Sequence, residues 1–201
     1  MPSEYHHGDL PTALRAAAVE LLAERGPAGF SLREVARRAG VSHAAPSHHF
    51  GDAQGLLSSV AAEGFSTLTK AMREATEGIE DPRERLLACG RAYVNTALDN
   101  PGHYAVMVTH EFTNQEEPNL QHCSFESYLT LLENVEWLRD NVNADLDVEA
   151  TATLLWAGGH GIVELSPVID DVAEHTDTRS HNIDELLEAW TDMVLNGIRP
   201  R

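Results

Sequence analysis

A stretch of basic, hydroxyl-bearing and very small side chains lies between Ser31 and Phe50. Arginine, histidine and serine side chains donate hydrogen bonds, and alanine leaves space for a methyl group beside it. Such a set suits contact with phosphate oxygens, with base edges and with the methyl group of thymine. The candidate contact residues are Arg33, Ser42, His43, Ala44, Ser47, His48 and His49.

The residues around this set have the spacing of a short helix. Ser31 and Glu34 match a capping box, in which two side chains bond to the first backbone amides of a helix. Leu32, Val35 and Ala36 form an apolar side at helical spacing. The sequence therefore predicts a helix that begins after Ser31.

A tight turn and a second helix are predicted to follow. Gly40 suits a left-handed C-cap, Val41 can fill the corner, and Ser42 is the expected cap of the second helix. On that helix we expect Phe50 to pack inward and the following residues to face outward: His43, Ala44, Ala45, Ser47 and His48. Arg33, in the first turn of the preceding helix, and His49 are candidate phosphate contacts. Two helices across such a turn are the layout of a helix-turn-helix, whose second helix enters the major groove of DNA.

Residues 14–57 resemble the N-terminal domain of TetR-type bacterial transcriptional repressors. The motifs that carry the resemblance are LRAAAVELLAERG, FSLREVARRAGVS, an HF pair three residues past Pro46, and GLL. The opening YHHGDL, and the pairing of SHAAP with WAGGHG, resemble one subgroup of that family. The C-terminal domain of this subgroup is marked by a Trp, a His and a Gly, which here are Trp156, His160 and Gly161.

The resemblance implies an all-α fold with an N-terminal three-helix helix-turn-helix domain and a larger C-terminal helical bundle for ligand binding and dimerisation. The implied boundaries are 1–51 for the first domain and 52–201 for the second. It further implies a homodimer on a palindromic double-stranded DNA operator and a small-molecule effector of unknown identity. Two departures bear on affinity, because the family usually has Tyr where Ser47 stands and Lys where Ala53 stands, and both commonly contact phosphates.

The chain has 201 residues and a net charge of −18, which at first sight disfavours a DNA-binding protein. Residues 1–55 carry five arginines and six acidic residues, so the acidity lies in the remaining part, with a net charge of −17. An acidic body repels DNA without excluding local contacts by the helix-turn-helix. It makes nonspecific nucleic-acid binding by the C-terminal part an unfavourable hypothesis.

The middle of the chain contains large apolar residues with scattered polar tips, as a ligand pocket between helices needs. An aromatic or methionine stripe at helical spacing is also typical of plain core, and the sequence leaves both interpretations open. The candidate ligand-binding residues are Tyr93, His103, Met107, His110, Phe125, Tyr128, Trp156 and His160.

Glycines within the run from Trp156 to Ile162 indicate close approach of another helix or a ligand. The resemblance implies that the last two long helices pair with their copies in a dimer. The candidate dimerisation residues are Leu155, Gly159, Ile162, Leu187, Trp190 and Val194.

Other classes of protein find less support. No nucleophile elbow, phosphate loop or dinucleotide fingerprint indicates an enzyme. The histidine spacings match no metal motif, and no cofactor is expected. Without an apolar run of membrane-spanning length, a signal-peptide core or a disulfide framework, we expect a cytoplasmic protein. The alternative that remains is an interaction or sensor protein whose DNA-binding head is weakened at Ser47 and Ala53.

Cap and breaker residues predict the remaining helices. Asp52, Asp81 and either Asp145 or Asp147 are expected helix caps. Two polar stretches, 114–119 and 170–180, are expected to be loops.

Overall fold

The computed structural model describes residues 10–176 and 181–198, and within these ranges it contains no strand. The predicted all-α fold is therefore confirmed. The helices are α1 (Leu10–Arg25), α2 (Leu32–Arg38), α3 (Ala45–Phe50), α4 (Ala53–Thr76), α5 (Pro82–Asp99), α6 (Pro101–Met107), α7 (Pro118–Asn141), α8 (Val148–Leu165), α9 (Ile169–Thr176) and α10 (Ile183–Ile198). Single 3₁₀ turns occupy Pro27–Gly29, His110–Phe112 and Ser166–Val168.

Aspartate caps begin three of the long helices, as the sequence predicts. Each carboxylate accepts a hydrogen bond from the backbone amide three residues later, at 2.9 Å in all three cases. The pairs are Asp52 with Gly55, Asp81 with Glu84, and Asp147 with Ala150. Such a bond satisfies an amide that has no partner within the helix.

The two predicted loops are partly wrong. Helix α7 begins at Pro118, inside the first of them, because proline fits the first turn and the Glu117 carboxylate accepts from the Leu120 amide at 2.6 Å. Helix α9 fills most of the second, and residues 177–180 lie outside the described residues. Polar composition did not prevent this helix, because Ala173 provides a buried contact with 6% exposure.

Packing divides the chain into two compact units. Unit 1 contains residues 1–66 and 100–125, so it holds α1 to α3, α6, and the first parts of α4 and α7. Its core residues include Leu14, Leu21, Val35 and Val60, each fully buried. Arg15 of α1 pairs with Glu63 of α4 at 3.1 Å, which joins two helices of this unit.

Unit 2 contains residues 67–99 and 126–201. A buried apolar cluster forms its centre, with Leu86, Val135, Leu138, Ala152, Leu155 and Leu195. The guanidinium of Arg85 lies 4.9 Å from the ring of Trp137 and donates to the carbonyl oxygen of Thr76 at 3.0 Å. This division reflects packing alone, and the predicted functional boundary between residues 51 and 52 stays a prediction. Among the described residues no helix has the length and apolar character needed to cross a membrane.

Candidate DNA-binding surface

Helix α2 begins where the sequence predicts, but the capping box is wrong. Ser31 has extended backbone angles and its hydroxyl makes no capping hydrogen bond. The Glu34 carboxylate accepts from Arg37 at 2.7 and 2.8 Å and from Arg38 at 3.2 Å. Charge-assisted bonds of this kind are about twice as strong as neutral ones, so the arginines outcompete the backbone for this carboxylate.

The turn after α2 has the geometry that the sequence predicts. Gly40 has a φ of 68°, in the left-handed region that favours glycine. The Val41 amide donates to the Ala36 carbonyl oxygen at 3.0 Å, which closes the turn over a fully buried Ala36. This bond pattern is that of a helix ending at a left-handed glycine.

The second helix of the motif begins later than predicted. Ser42 is not its cap, because α3 starts at Ala45 and Ala44 occupies the cap position without a side-chain bond. The Ser42 carbonyl oxygen instead accepts from the Ala45 amide at 3.0 Å within the connecting turn. Pro46 therefore lies in the first turn of the helix, where its missing N–H removes no helical hydrogen bond.

All the candidate contact residues are exposed, on α2, in the turn before α3 and on α3 itself. Pro46 is buried and Phe50 half-buried on the inner side, and Ala45 is half-buried rather than fully outward as expected. We call the exposed set the reading surface. It consists of Arg33, Ser42, His43, Ala44, Ser47, His48 and His49.

Two arginines next to the reading surface already have acidic partners. Arg38 pairs with Glu34 and, through both terminal nitrogens, with Glu24 of α1. These bonds lower the pKa of Glu34 to about 2, chiefly through Arg37 and then Arg38. The pairing of Glu24 with Arg38 was missed, because a separation of 14 residues along the chain carries no helical signal.

Arg33 contrasts with these two arginines. Its side chain is exposed and forms no ion pair with any of the described residues. Ala53, where the resembled family usually has Lys, is the half-buried first residue of α4. Arg33 is therefore the arginine of this motif whose charge is available to an external anion.

Four of the candidate ligand-binding residues lie in unit 2, on α5, α7 and α8. The rings of Tyr128 and Trp156 lie 6.2 Å apart at a tilted angle. Tyr93 packs against α8, since a Cβ at Gly159 would lie 3.2 Å from its Cδ1. His160 follows Trp156 by one helical turn and is half-buried. We call these four side chains (Tyr93, Tyr128, Trp156 and His160) the aromatic cluster.

The other four candidates lie in unit 1, where they do not form an enclosed group. His110 and Phe125 are exposed, while Met107 is buried and His103 half-buried on α6. Burial lowers the pKa of His103, and its buried Nε2 has no hydrogen-bond partner among the described residues. No group of three or more metal-ligating side chains converges in the part of the chain that the structure describes.

The candidate dimerisation residues divide into two groups. Leu155, Gly159 and Leu187 are buried inside the protomer, so these residues are not exposed on its surface as a dimer contact requires. Ile162, Trp190 and Val194 are half-buried, and the last two pack against the apolar centre of unit 2. Among the described residues of the same two helices, the exposed large apolar side chains are Leu154, Trp156, Leu165 and Met193, with exposures of 69%, 48%, 57% and 73%.

Family models match both parts of the chain. Residues 14–60 match the model described as bacterial regulatory proteins, tetR family. Residues 86–194 match the model described as tetracyclin repressor-like, C-terminal domain. Together these matches include the reading surface and the aromatic cluster.

Individual solved structures are also similar to this chain. A protein of unknown function from Rhodococcus sp. RHA1 is 32% identical with a TM-score of 0.82, over 99% of this chain and 100% of its own. The structure of AibR in complex with isovaleryl coenzyme A and operator DNA is 18% identical with a TM-score of 0.69, over 92% and 97%, and shows the fold alone.

A curated relative matches over a shorter range. The HTH-type transcriptional repressor Rv3405c of Mycobacterium tuberculosis is 35% identical over 92 residues, which are 45% of this chain and 48% of the relative. The match thus spans about half the length of that protein. From the matched models and the helix-turn-helix geometry, the chain belongs to the TetR family of bacterial transcriptional regulators.

Proposed function

We propose that this regulator is a homodimeric repressor that binds a palindromic operator and leaves it when a small molecule binds. The main support for the proposal is the reading surface, whose seven polar or small residues are all exposed. They lie on a helix-turn-helix whose turn is formed at Gly40. Side chains of these types suit both phosphate oxygens and base edges. The enzyme alternative is set aside, because the family consists of transcriptional regulators.

A palindromic operator follows from symmetry. A dimer with a two-fold axis presents two copies of α3, so each copy reads one half-site, and half-sites lie about 34 Å apart per helical turn. The name of the relative Rv3405c supports repression, and the AibR complex supports an operator with a small-molecule effector.

Selection from random-sequence DNA tests this proposal. The purified chain should enrich a two-fold symmetric sequence from a pool of random duplexes, and footprinting should show protection of both halves. The variant Arg33→Ala with Ser47→Ala and His48→Ala is the matched control, because all three residues are exposed and its fold should be retained. Failure to enrich any sequence would favour the alternative, an interaction protein with a weakened head.

The aromatic cluster is the proposed effector site. The six described cations of unit 2 are all engaged: Arg85 by carbonyl groups, and Lys70, Arg73, Arg83, Arg91 and Arg139 by carboxylates. A strongly anionic effector would therefore have to displace existing partners before it met a cation. We propose a neutral or cationic small molecule that stacks on the aromatic rings.

Ligand-induced stabilisation tests this site. A compound that binds the folded protein raises its melting temperature by mass action. Neutral and cationic aromatic compounds should contain stabilisers whose effect weakens in Trp156→Ala, after correction for that variant's own baseline. A matched substitution is Phe125→Ala, at an exposed residue of unit 1, which should leave the stabilisation unchanged.

A further inference from the structure

Most of the side chains on the reading surface that can carry a positive charge are histidines. Its described side chains include one arginine, Arg33, and three exposed histidines, His43, His48 and His49. The rings of His48 and His49 lie 5.4 Å apart, edge to face, at the end of α3. Histidine is the side chain that ordinarily gains its charge between about pH 8 and pH 5.

The fixed positive charge near these histidines is already neutralised. Arg37 and Arg38 of α2 are paired with Glu34 and Glu24, so carboxylates already offset their positive charge. Ser47 and Ala53 are uncharged, and Asp52 uses its carboxylate to cap α4. Arg33 is therefore the one described cation of the reading surface whose charge does not depend on pH.

The elements that pack against α3 carry both basic and acidic groups. On α2 and α1 and at the start of α4 they are Arg33, Glu34, Arg37, Arg38, Arg15, Glu20, Glu24, Arg25 and Asp52. None of the carboxylates forms an ion pair with the three histidines in the ranges 10–176 and 181–198. A phosphate group brought against α3 would thus meet histidine rings that no described carboxylate holds in an ion pair.

We propose that operator binding by this regulator is coupled to proton uptake at His43, His48 and His49, so that its affinity for DNA rises as pH falls. The inference rests on the proposed function, since it concerns the same surface. A phosphate favours the charged form of a histidine beside it, so bound DNA draws protons onto the rings. By linkage, mild acid then favours the bound state. The regulator would hold its operator more tightly in an acidified cell.

The test is a fluorescence-anisotropy titration of the selected operator duplex between about pH 8 and pH 6. The full-length chain is used at constant ionic strength. We expect affinity to rise at least about tenfold across this range, because each proton taken up contributes up to tenfold per pH unit. The slope of log K against log salt should also steepen by about 0.9 for each histidine that meets a phosphate.

Substitutions identify the groups responsible. His43→Gln with His48→Gln and His49→Gln should leave a flat pH profile, whereas His48→Lys should give tight binding already at the alkaline end. His122→Gln and His175→Gln remove exposed histidines outside the reading surface and should keep the wild-type profile. His103→Asn removes the half-buried histidine of α6 and should keep it as well.

The outcomes are distinguishable. Wild-type binding that is tight and independent of pH would overturn the inference and leave the proposed function intact. A pH profile that persists in the triple glutamine variant would overturn it too, and would assign the titration to another group. Absence of sequence-selective binding at every pH would instead contradict the proposed function.

Discussion

The hydrogen bonds of the Glu34 carboxylate show how local chemistry decides between two structures that one sequence motif predicts, a helix cap and an ion pair. Glu34 has capping-box spacing, yet its oxygens bond to Arg37 and Arg38. The same i,i+3 and i,i+4 spacings that predict a cap also predict ion pairs on a helix surface. The sequence therefore limits the choice to two partners, and the proximity of two guanidinium groups decides it.

Acid should lower the stability of the folded protein by protonating the Glu34 carboxylate. Because the folded-state pKa of Glu34 is about 2, its stabilising effect is complete above its unfolded value and is lost as pH falls from about 4.3 towards 2. Glu34→Gln should lower the melting temperature at neutral pH and reduce the difference in melting temperature between pH 5 and pH 3. Glu133→Gln is the control, since Glu133 is exposed and has no ion pair among the described residues. Equal acid sensitivity in all three proteins would contradict this role for Glu34.

The stability of the folded protein should also depend on pH through His103. The direction is opposite to that expected for a histidine in an ion pair, because acid should here lower stability. Burial lowers the pKa of His103, so the folded state favours the neutral ring. Stability is then complete above the unfolded value of about 6.5 and is lost as pH falls below it, because the unfolded chain binds the proton more readily. Thermal unfolding without DNA should show a lower melting temperature at about pH 5.5 than at about pH 7.5. His103→Asn should reduce that difference, and an unchanged difference would contradict the assignment.

Among whole elements, the helix starts predicted from capping residues were more accurate than the loops predicted from polar composition. Asp52, Asp81 and Asp147 begin α4, α5 and α8 at the predicted residues. The start of α3 was misplaced because Ser42 has capping chemistry but its carbonyl oxygen closes a turn instead. Helix α9 was missed because its buried contact through Ala173 is tertiary, and a polar stretch gives no local sign of it.

The packing of α8 against α10 requires a residue without a side chain at position 158, where the chain has glycine. A Cβ at Gly158 would collide with Nε1 and the ring of Trp190. Gly158→Ala should therefore lower the melting temperature, because overpacking costs about 1–3 kcal/mol and the gain in helix propensity is about 1 kcal/mol. Gly197→Ala in α10 is the matched control, since its Cβ would meet nothing within 4 Å. A Gly158→Ala protein as stable as the control would show that Trp190 does not occupy this position.

At the scale of the whole molecule, sequence spacing identified the proposed dimer helices but could not separate their faces. Leu187 and Leu155 have the same apolar character as Met193 and Leu154, yet only the second pair is exposed. Periodicity shows that a helix has an apolar side. Which apolar residues the protomer buries depends on the packing of α5 and α7 against α8 and α10, which one sequence does not specify.

A charge on the exposed face should separate the protomers. Met193→Asp adds an acidic group at a side chain that is 73% exposed in the protomer, so the protomer should fold while the proposed dimer loses a central apolar contact. Light scattering should give a dimer for the wild type and a monomer for this variant, with similar helical content by circular dichroism. Val172→Asp, at another exposed apolar residue on α9, is the comparison. A wild-type monomer at micromolar concentration would contradict the dimer itself.

An added cation at the start of α4 should strengthen phosphate contact. Ala53→Lys adds one charge per protomer, so the salt slope of a dimer should steepen by about 2 and affinity should rise for any DNA sequence. Ala150→Lys adds the same charge at an exposed residue of α8 and should change neither quantity. If the two variants behave alike, residue 53 does not face the DNA backbone.

Whether a dimer reads two half-sites through its helix-turn-helix motifs is tested most directly by the dependence of affinity on the separation of those half-sites. Anisotropy titrations would compare the selected operator with the same duplex carrying an insertion of about 5 base pairs, half a helical turn, at its centre. The insertion places the second half-site on the opposite side of the duplex. We expect affinity to fall to that of a single half-site, although both half-site sequences stay intact. Equal affinity for the two duplexes would contradict it.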